Sequence, residues 1–167
     1  MRDPTKFVVE ILKQVQNDNK IMKQIKLKIV TPEKILFENT VSQVSISTTM
    51  GEITVLPNHI PLVSELSPGE VVIKSSKGEE GLMAISGGFV EVLPDQVVIL
   101  ADTAERAEDI DEARAEQARQ QAEEVLKTKV ADSEAFAMFT AKIEKEMARL
   151  KVARKYKTRG VRIGRNN

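Results

Sequence analysis

A chain of 167 residues with 41% apolar and 30% charged side chains suits one ordinary domain, or a small domain with an appendage, and is too apolar to be disordered. It has no cysteine, which excludes disulfides, thiolate metal sites and a cysteine nucleophile, and its single histidine, His59, nearly excludes the usual histidine-based triads and multi-histidine metal centres. The 25 basic and 25 acidic side chains cancel, yet residues 151–167 carry seven basic groups and no acid, a distribution that suits an acidic partner or a solvated terminus.

The opening "FVVEILKQVQ" places Phe7, Val8, Ile11, Leu12 and Val15 on one face of a short helix. It lacks the cationic flank, long apolar segment and small-residue cleavage site of a signal peptide. No segment approaches the roughly 20 apolar residues of a membrane span, so any membrane association is expected to be peripheral.

From Ile25 to about Asp102 the pattern is strand-like. "IKLKIV" alternates Ile25, Leu27 and Ile29 with Lys26 and Lys28, the signature of a sheet with one wet face. Further β-branched runs follow at "VSQVSIS", "EITVL", "EVVIK", "GLMAIS", "GFVEVL" and "QVVIL". Turn formers separate them at Thr31-Pro32, Met50-Gly51, Pro57-Asn58, Pro68-Gly69, Lys77-Gly78, Gly87-Gly88 and Pro94-Asp95. Many short strands without helical interruptions predict a β-sandwich or barrel of roughly 75–80 residues. Gly87-Gly88 precedes neither a Lys-Ser/Thr pair nor a helix, so it reads as a bend where backbones crowd, not as a phosphate loop.

At "DIDEARA" the period changes. Asp109 is placed to cap a helix, with Glu112 completing a capping box. Ala115, Ala118, Ala122, Val125 and Leu126 then share a face, and Lys127 and Lys129 occupy the last turn. A second helix starts at Asp132 or Ser133 and carries Phe136, Phe139, Ile143, Met147 and Leu150 at helical spacing. The fold class is therefore mainly β plus α: an N-terminal β-sandwich followed by a C-terminal antiparallel two-helix hairpin. The first helix offers mostly alanine, so the helix contact is expected to be close and thin, and the hairpin becomes a candidate moving part. Catalysis finds little support, because His59 in "LPNHIPL" reads as a loop contact and nothing else converges on it.

The order "MGEITVLPNHIPLVSEL", "ISGGFVEVLPDQVVILADTAERAEDIDEARA", then a helical hairpin resembles the epsilon-subunit family of the bacterial F-type ATP synthase, called delta in mitochondria, over about residues 22 to 154. The resemblance implies an N-terminal extension over 1–21 (Met22 matching the family start), a sandwich domain over 22–104, a regulatory hairpin over 105–155 and a basic tail over 156–167. It implies a non-catalytic central-stalk subunit that binds the gamma subunit and the c-ring and couples proton or sodium flux to ATP synthesis. Its C-terminal helices would swing out to reach the catalytic beta subunit and block ATP hydrolysis. The site would be the cytoplasmic face of the bacterial plasma membrane, with no cofactor required.

The resemblance also assigns residues. Gly51 and Glu52, with His59 just beyond, match the loop that faces the c-ring, where Glu52 would pair with a basic side chain; a plain hairpin turn is the competing reading. Thr54 and Asn58 stand where glycine is common. Asn accommodates positive φ, whereas Thr54 puts the loop geometry in question.

Ile110, Asp111, Arg114 and Ala115 match the "I/L-D-x-x-R-A" motif that holds ATP as a regulatory ligand in some bacterial members, with Glu105 upstream and Lys145 and Arg149 on the second helix. Guanidinium groups fork onto phosphate oxygens, a carboxylate accepts from adenine or ribose, and alanine leaves room for the base. The pattern departs at Gln121, where a further arginine would stand, and at Lys145, which replaces one; Arg119 points away by roughly 140°. Helix capping therefore stays open beside nucleotide binding. A freestanding nucleotide-sensing adaptor is the rival function. A nucleic-acid binder finds no interleaved aromatic and basic strand residues to support it.

Overall fold

A computed structural model describes residues 24–128 and 133–159. The short helix expected over residues 7–15, the side chains expected to cap the second helix, Lys129 and the end of the basic tail lie outside them.

Among the described residues nine strands come first: β1 (Ile25–Val30), β2 (Ile35–Val41), β3 (Gln43–Thr48), β4 (Gly51–Val55), β5 (Leu62–Lys74), β6 (Glu80–Ile85), β7 (Gly88–Val92), β8 (Gln96–Ala101) and β9 (Ala104–Arg106). A 3-10 turn (Ala107–Asp109) leads into α1 (Glu112–Thr128) and α2 (Ser133–Arg159). The strands run in the order β2-β1-β8-β7-β5-β3-β4, with β6 joined to β5 and β9 to β6. The β1–β8 pairing is parallel; the other pairings are antiparallel.

The 13-residue β5 joins two layers. Its first half, Leu62–Leu66, pairs with β7, while Gly69–Lys74 pairs with β6 and mostly the same stretch pairs with β3. The layers face each other across one core. Ile25, Leu27, Ile29, Val90, Val92, Val97 and Ile99 come from the first layer; Val44, Ile46, Val55, Val71, Ile73, Met83 and Ile85 come from the second. These are the inward residues of period-2 strands, as alternation requires.

Pro68-Gly69 does not turn the chain. It falls inside β5, where the β3 register slips between Ile46 and Thr48 and the strand passes from one layer to the other, a place where a proline without an N–H is tolerated. The strand "ILFENTV" is not announced by the sequence pattern: it is an edge strand, exposed over most of its length, and so lacks a clean alternation. At Gly88, φ is 115°, and a Cβ would overlap the carbonyl oxygen of Leu100, so the glycine pair is a crowded strand junction as expected.

The hairpin lies against the outer face of the second layer. Val152 of α2 packs on Leu82 and Ala84 of β6 and on Ala107, with Val72, Ile110 and Tyr156 around them. Among the described residues of this cluster, Leu82 and Val152 are the buried large aliphatics, worth roughly 1.5–3 kcal/mol each before ordering costs. The helix–helix contact is built on alanine: Ala115, Ala122, Ala148 and Ala153 are buried. The close, alanine-lined contact expected from the sequence is present, in the closed arrangement. The helix runs to Arg159, across the boundary drawn at residue 155.

Candidate functional site

The chain enters α1 two residues later than its sequence suggests. Asp109 closes the 3-10 turn and Ile110 is extended, so the helix starts at Glu112. Asp111 is the N-cap: its Oδ1 accepts the Arg114 backbone N–H at 3.1 Å, and its carbonyl accepts from Ala115 at 3.0 Å. The Asp109–Glu112 capping box is therefore corrected. Glu112 instead pairs with Lys157 on α2 at 2.6 Å.

Between hairpin and sandwich lies a cavity of about 420 Å³, lined by Thr103, Ala104, Glu105, Arg114, Ala118, Lys145, Glu146 and Arg149 among others. Four of the six residues matched to nucleotide binding meet here: Glu105 from β9, Arg114 from α1, and Lys145 and Arg149 from α2. The other two do not line it. Asp111 is spent on the cap, and Ala115 is fully buried at the packed face of α1. Arg149 is already engaged. Its Nε and Nη2 donate to the two Glu105 oxygens at 2.7 and 3.2 Å, and Nη1 donates to Glu146 at 2.6 Å. Burial works to lower its pKa, but the bonds to Glu105 and Glu146 outweigh it and hold the guanidinium above its usual value. Arg114 and Lys145 have no ion-pair partner among the described residues. The cavity thus offers two uncommitted cations beside one held by carboxylates.

Arg119 turns away from this cavity, as the helical angle demands. It pairs with Glu116 at 2.6 Å and with Glu123, and lines a wider cleft beside Met147 and Arg154. Gln121 is exposed.

The β3–β4 hairpin forms a second region. Gly51 and Glu52 are exposed near its tip, where Met50 is 91% exposed. Thr48 fixes the turn, donating to the Gly51 carbonyl at 2.6 Å and accepting from Met50 N–H at 3.2 Å. Glu52 has no ion-pair partner among the described residues. His59 lies beyond the opposite end of β4, and its Nδ1 is 2.7 Å from the Ile60 carbonyl, so it is a local loop contact apart from Gly51 and Glu52. Asn58 takes φ 65°, and its N–H donates to Pro94 at 2.7 Å. Thr54 sits in regular β pairing opposite Ser45, bonded hydroxyl to hydroxyl at 2.7 Å, so the loop geometry needs no glycine there.

A third region escaped the sequence reading. Among the described residues, the outer face of the first layer has no helix on it. Across β5, β7, β8 and β1 the register sets Glu65, Phe89, Leu100 and Val30 in one row and Val63, Glu91, Val98 and Lys28 in the next. Val63 is 69% exposed, Phe89 57% and Leu100 55%. An apolar sheet face left open in this way marks a docking surface. The signal was present in "QVVIL", a run apolar on both faces instead of alternating.

Among the described residues no acidic or histidine cluster could hold a metal, and no helix is long and apolar enough to cross a membrane. The beta-sandwich domain of the ATP synthase Delta/Epsilon chain matches residues 24–107, and the long alpha-helix domain of the same chain matches 108–154. The ATP synthase epsilon chain of Chloroflexus aggregans is 49% identical over 134 residues, covering 80% of this chain and 94% of that one. That of Anoxybacillus flavithermus is 51% identical over 108 residues, covering 65% and 80%. Among solved structures, a chain of the Euglena gracilis mitochondrial ATP synthase, in an assembly of OSCP, F1 and c-ring, superposes with TM-score 0.67 at 26% identity, covering 75% of this chain and 79% of that chain. With both family domains matched in order on a sandwich and a helical hairpin, the chain belongs to the ATP synthase delta/epsilon chain family, whose members are non-catalytic subunits of that complex.

Proposed function

We propose that this chain works in the central stalk of the ATP synthase, docking the gamma subunit on the bare face of the first layer and presenting the Gly51–Glu52 tip to the c-ring. The single observation that carries this reading is the division of faces. One sheet face is covered by the chain's own hairpin, and on the other Val63, Phe89 and Leu100 are exposed among the described residues. In this role the subunit couples ion flux to ATP synthesis at the cytoplasmic face of the membrane, held there through its partners. The hairpin is the regulatory element, and α2 reaches the catalytic beta subunit when it leaves the sandwich.

The test is co-purification with gamma, using Phe89→Glu. The exchange sets a second acid beside Glu65, its register partner, on a surface that would be desolvated on docking. We expect stoichiometric recovery of gamma with the wild-type chain and loss of gamma with the variant, at unchanged thermal stability. Full recovery with the variant would place the gamma contact elsewhere; no recovery with either would favour the freestanding adaptor.

A second reading concerns ATP. Arg114 and Lys145 face the same cavity without ion-pair partners among the described residues, and this supports a regulatory nucleotide whose phosphates neutralise them. The phosphates would share Arg149 with Glu105 and Glu146. The carboxylates at the cavity, Glu105 and Glu146, are both held by Arg149, so the nucleotide is bound and left intact.

A further inference from the structure

Six basic side chains of α2 fall between Arg149 and Arg159, and the closed structure pairs each of them with an acid of the same chain. Arg149 is held by Glu105 on β9 and by Glu146. Lys151 and Lys155 approach Glu70 on β5 at 3.8 and 2.7 Å. Arg154 and Lys157 reach Glu116 and Glu112 on α1 at 3.8 and 2.6 Å, and Arg159 reaches Glu80 on β6 at 3.4 Å.

These pairs are not equivalent. Lys151, Arg154, Lys157 and Arg159 are each more than half exposed, and such pairs contribute little individually because water and salt screen them. Glu70 is only 6% exposed and serves two lysines spaced one helical turn apart, of which Lys155 is itself 23% exposed. It stands on the outer face of the second layer, paired in register with Ala84, beside the small apolar patch that receives Val152. The apolar contact is slight, so the balance between docked and released helix falls to this carboxylate together with the Arg149–Glu105 pair. Release returns Glu70 to water and leaves both lysines unneutralised.

We propose that Glu70 is the anchor of an ionic latch that holds α2 on the sandwich without any nucleotide and releases it as salt stabilises the charges that opening returns to water. The latch rests on the reading of the hairpin as a moving part. It is distinct from the cavity at Arg114, because none of its residues lines that cavity.

The test uses the full chain. Having no native cysteine, it accepts Lys77→Cys and Thr158→Cys as a donor–acceptor dye pair between the β5–β6 turn and the end of α2. Without nucleotide, energy transfer is expected to be high at low salt and to fall as sodium chloride approaches about 1 M, where screening acts within roughly 3 Å. Glu70→Gln is expected to lower the closed-to-open ratio about tenfold at low salt. Glu70→Lys should open the hairpin at every salt concentration, and adding Lys151→Glu and Lys155→Glu should close it again. Amide protection at Ile46 and Ile99 distinguishes opening from unfolding. A Glu70→Gln salt profile that overlays the wild type, or a charge swap that fails to restore transfer, overturns the latch alone. Transfer that stays high for every variant at every salt overturns the moving-part reading and the latch with it.

Discussion

Asp111 and Arg114, three residues apart, do different work. Asp111 satisfies a helix N-terminal N–H with its side chain, while Arg114 directs its guanidinium to the cavity. Asp111→Ala removes the cap and should cost about 1 kcal/mol, read as a lower melting midpoint of the helical signal. Arg114→Ala removes an exposed side chain, so stability should stay within about 0.5 kcal/mol. Its effect should appear instead in calorimetric titration with millimolar ATP, as a loss of heat relative to the wild type. No heat from the wild type, or an unchanged isotherm in Arg114→Ala, would remove the nucleotide from the account. The sequence placed the cap at Asp109 because Asp-x-x-Glu fits a capping box. The 3-10 turn that displaces the helix start is set by Ala107 packing under α2, which no local pattern announces.

At the scale of the element, α1 carries its own charge cluster. Arg119 lies between Glu116 and Glu123, and its hydrogen bond, set against some desolvation, holds the Glu116 carboxyl below the usual glutamate value. A carboxylate with a depressed folded pKa stabilises the folded state above its unfolded pKa. That contribution disappears as pH falls through the folded value. Helix melting midpoints should therefore drop on acidification below the ordinary glutamate range, and Glu116→Gln should flatten that part of the profile. A variant profile parallel to the wild type would assign the acid sensitivity to other carboxylates. Existence and type of both helices were legible from periodicity, the buried face of α2 only in part. Leu150 is buried as its spacing predicts, but Phe136 and Met147 are 46% and 55% exposed, whereas Glu146, Val152 and Ala153 are buried. From Glu146 onward the helix faces α1 on one side and β6 on the other, so a single apolar stripe cannot describe it.

For the molecule as a whole, the order of elements could be read from turn residues and alternation. The assignment of strands to layers could not, because it depends on pairings distant in sequence, such as parallel β1 with β8. The site divided in the same way. Glu105, Arg114, Lys145 and Arg149 were legible through a motif, while Glu70 and the face around Phe89 acquire meaning only once β5, β6 and β7 are neighbours. The long β5 has a further consequence, for how the sandwich forms and fails. A strand that supplies hydrogen bonds to β7 through one half and to β3 and β6 through the other makes each layer a template for the next. Neither can nucleate to completion alone, so the sandwich should unfold as one cooperative unit. Val71→Ala, which empties a fully buried site in the second layer, should cost about 2 kcal/mol. Native-state hydrogen exchange should register that loss equally at Ile46 in β3 and Ile99 in β8, and faster exchange confined to one layer's partners would show two independent units. The closed hairpin stands outside this cooperativity, and its amides should exchange through a lower-energy opening of their own.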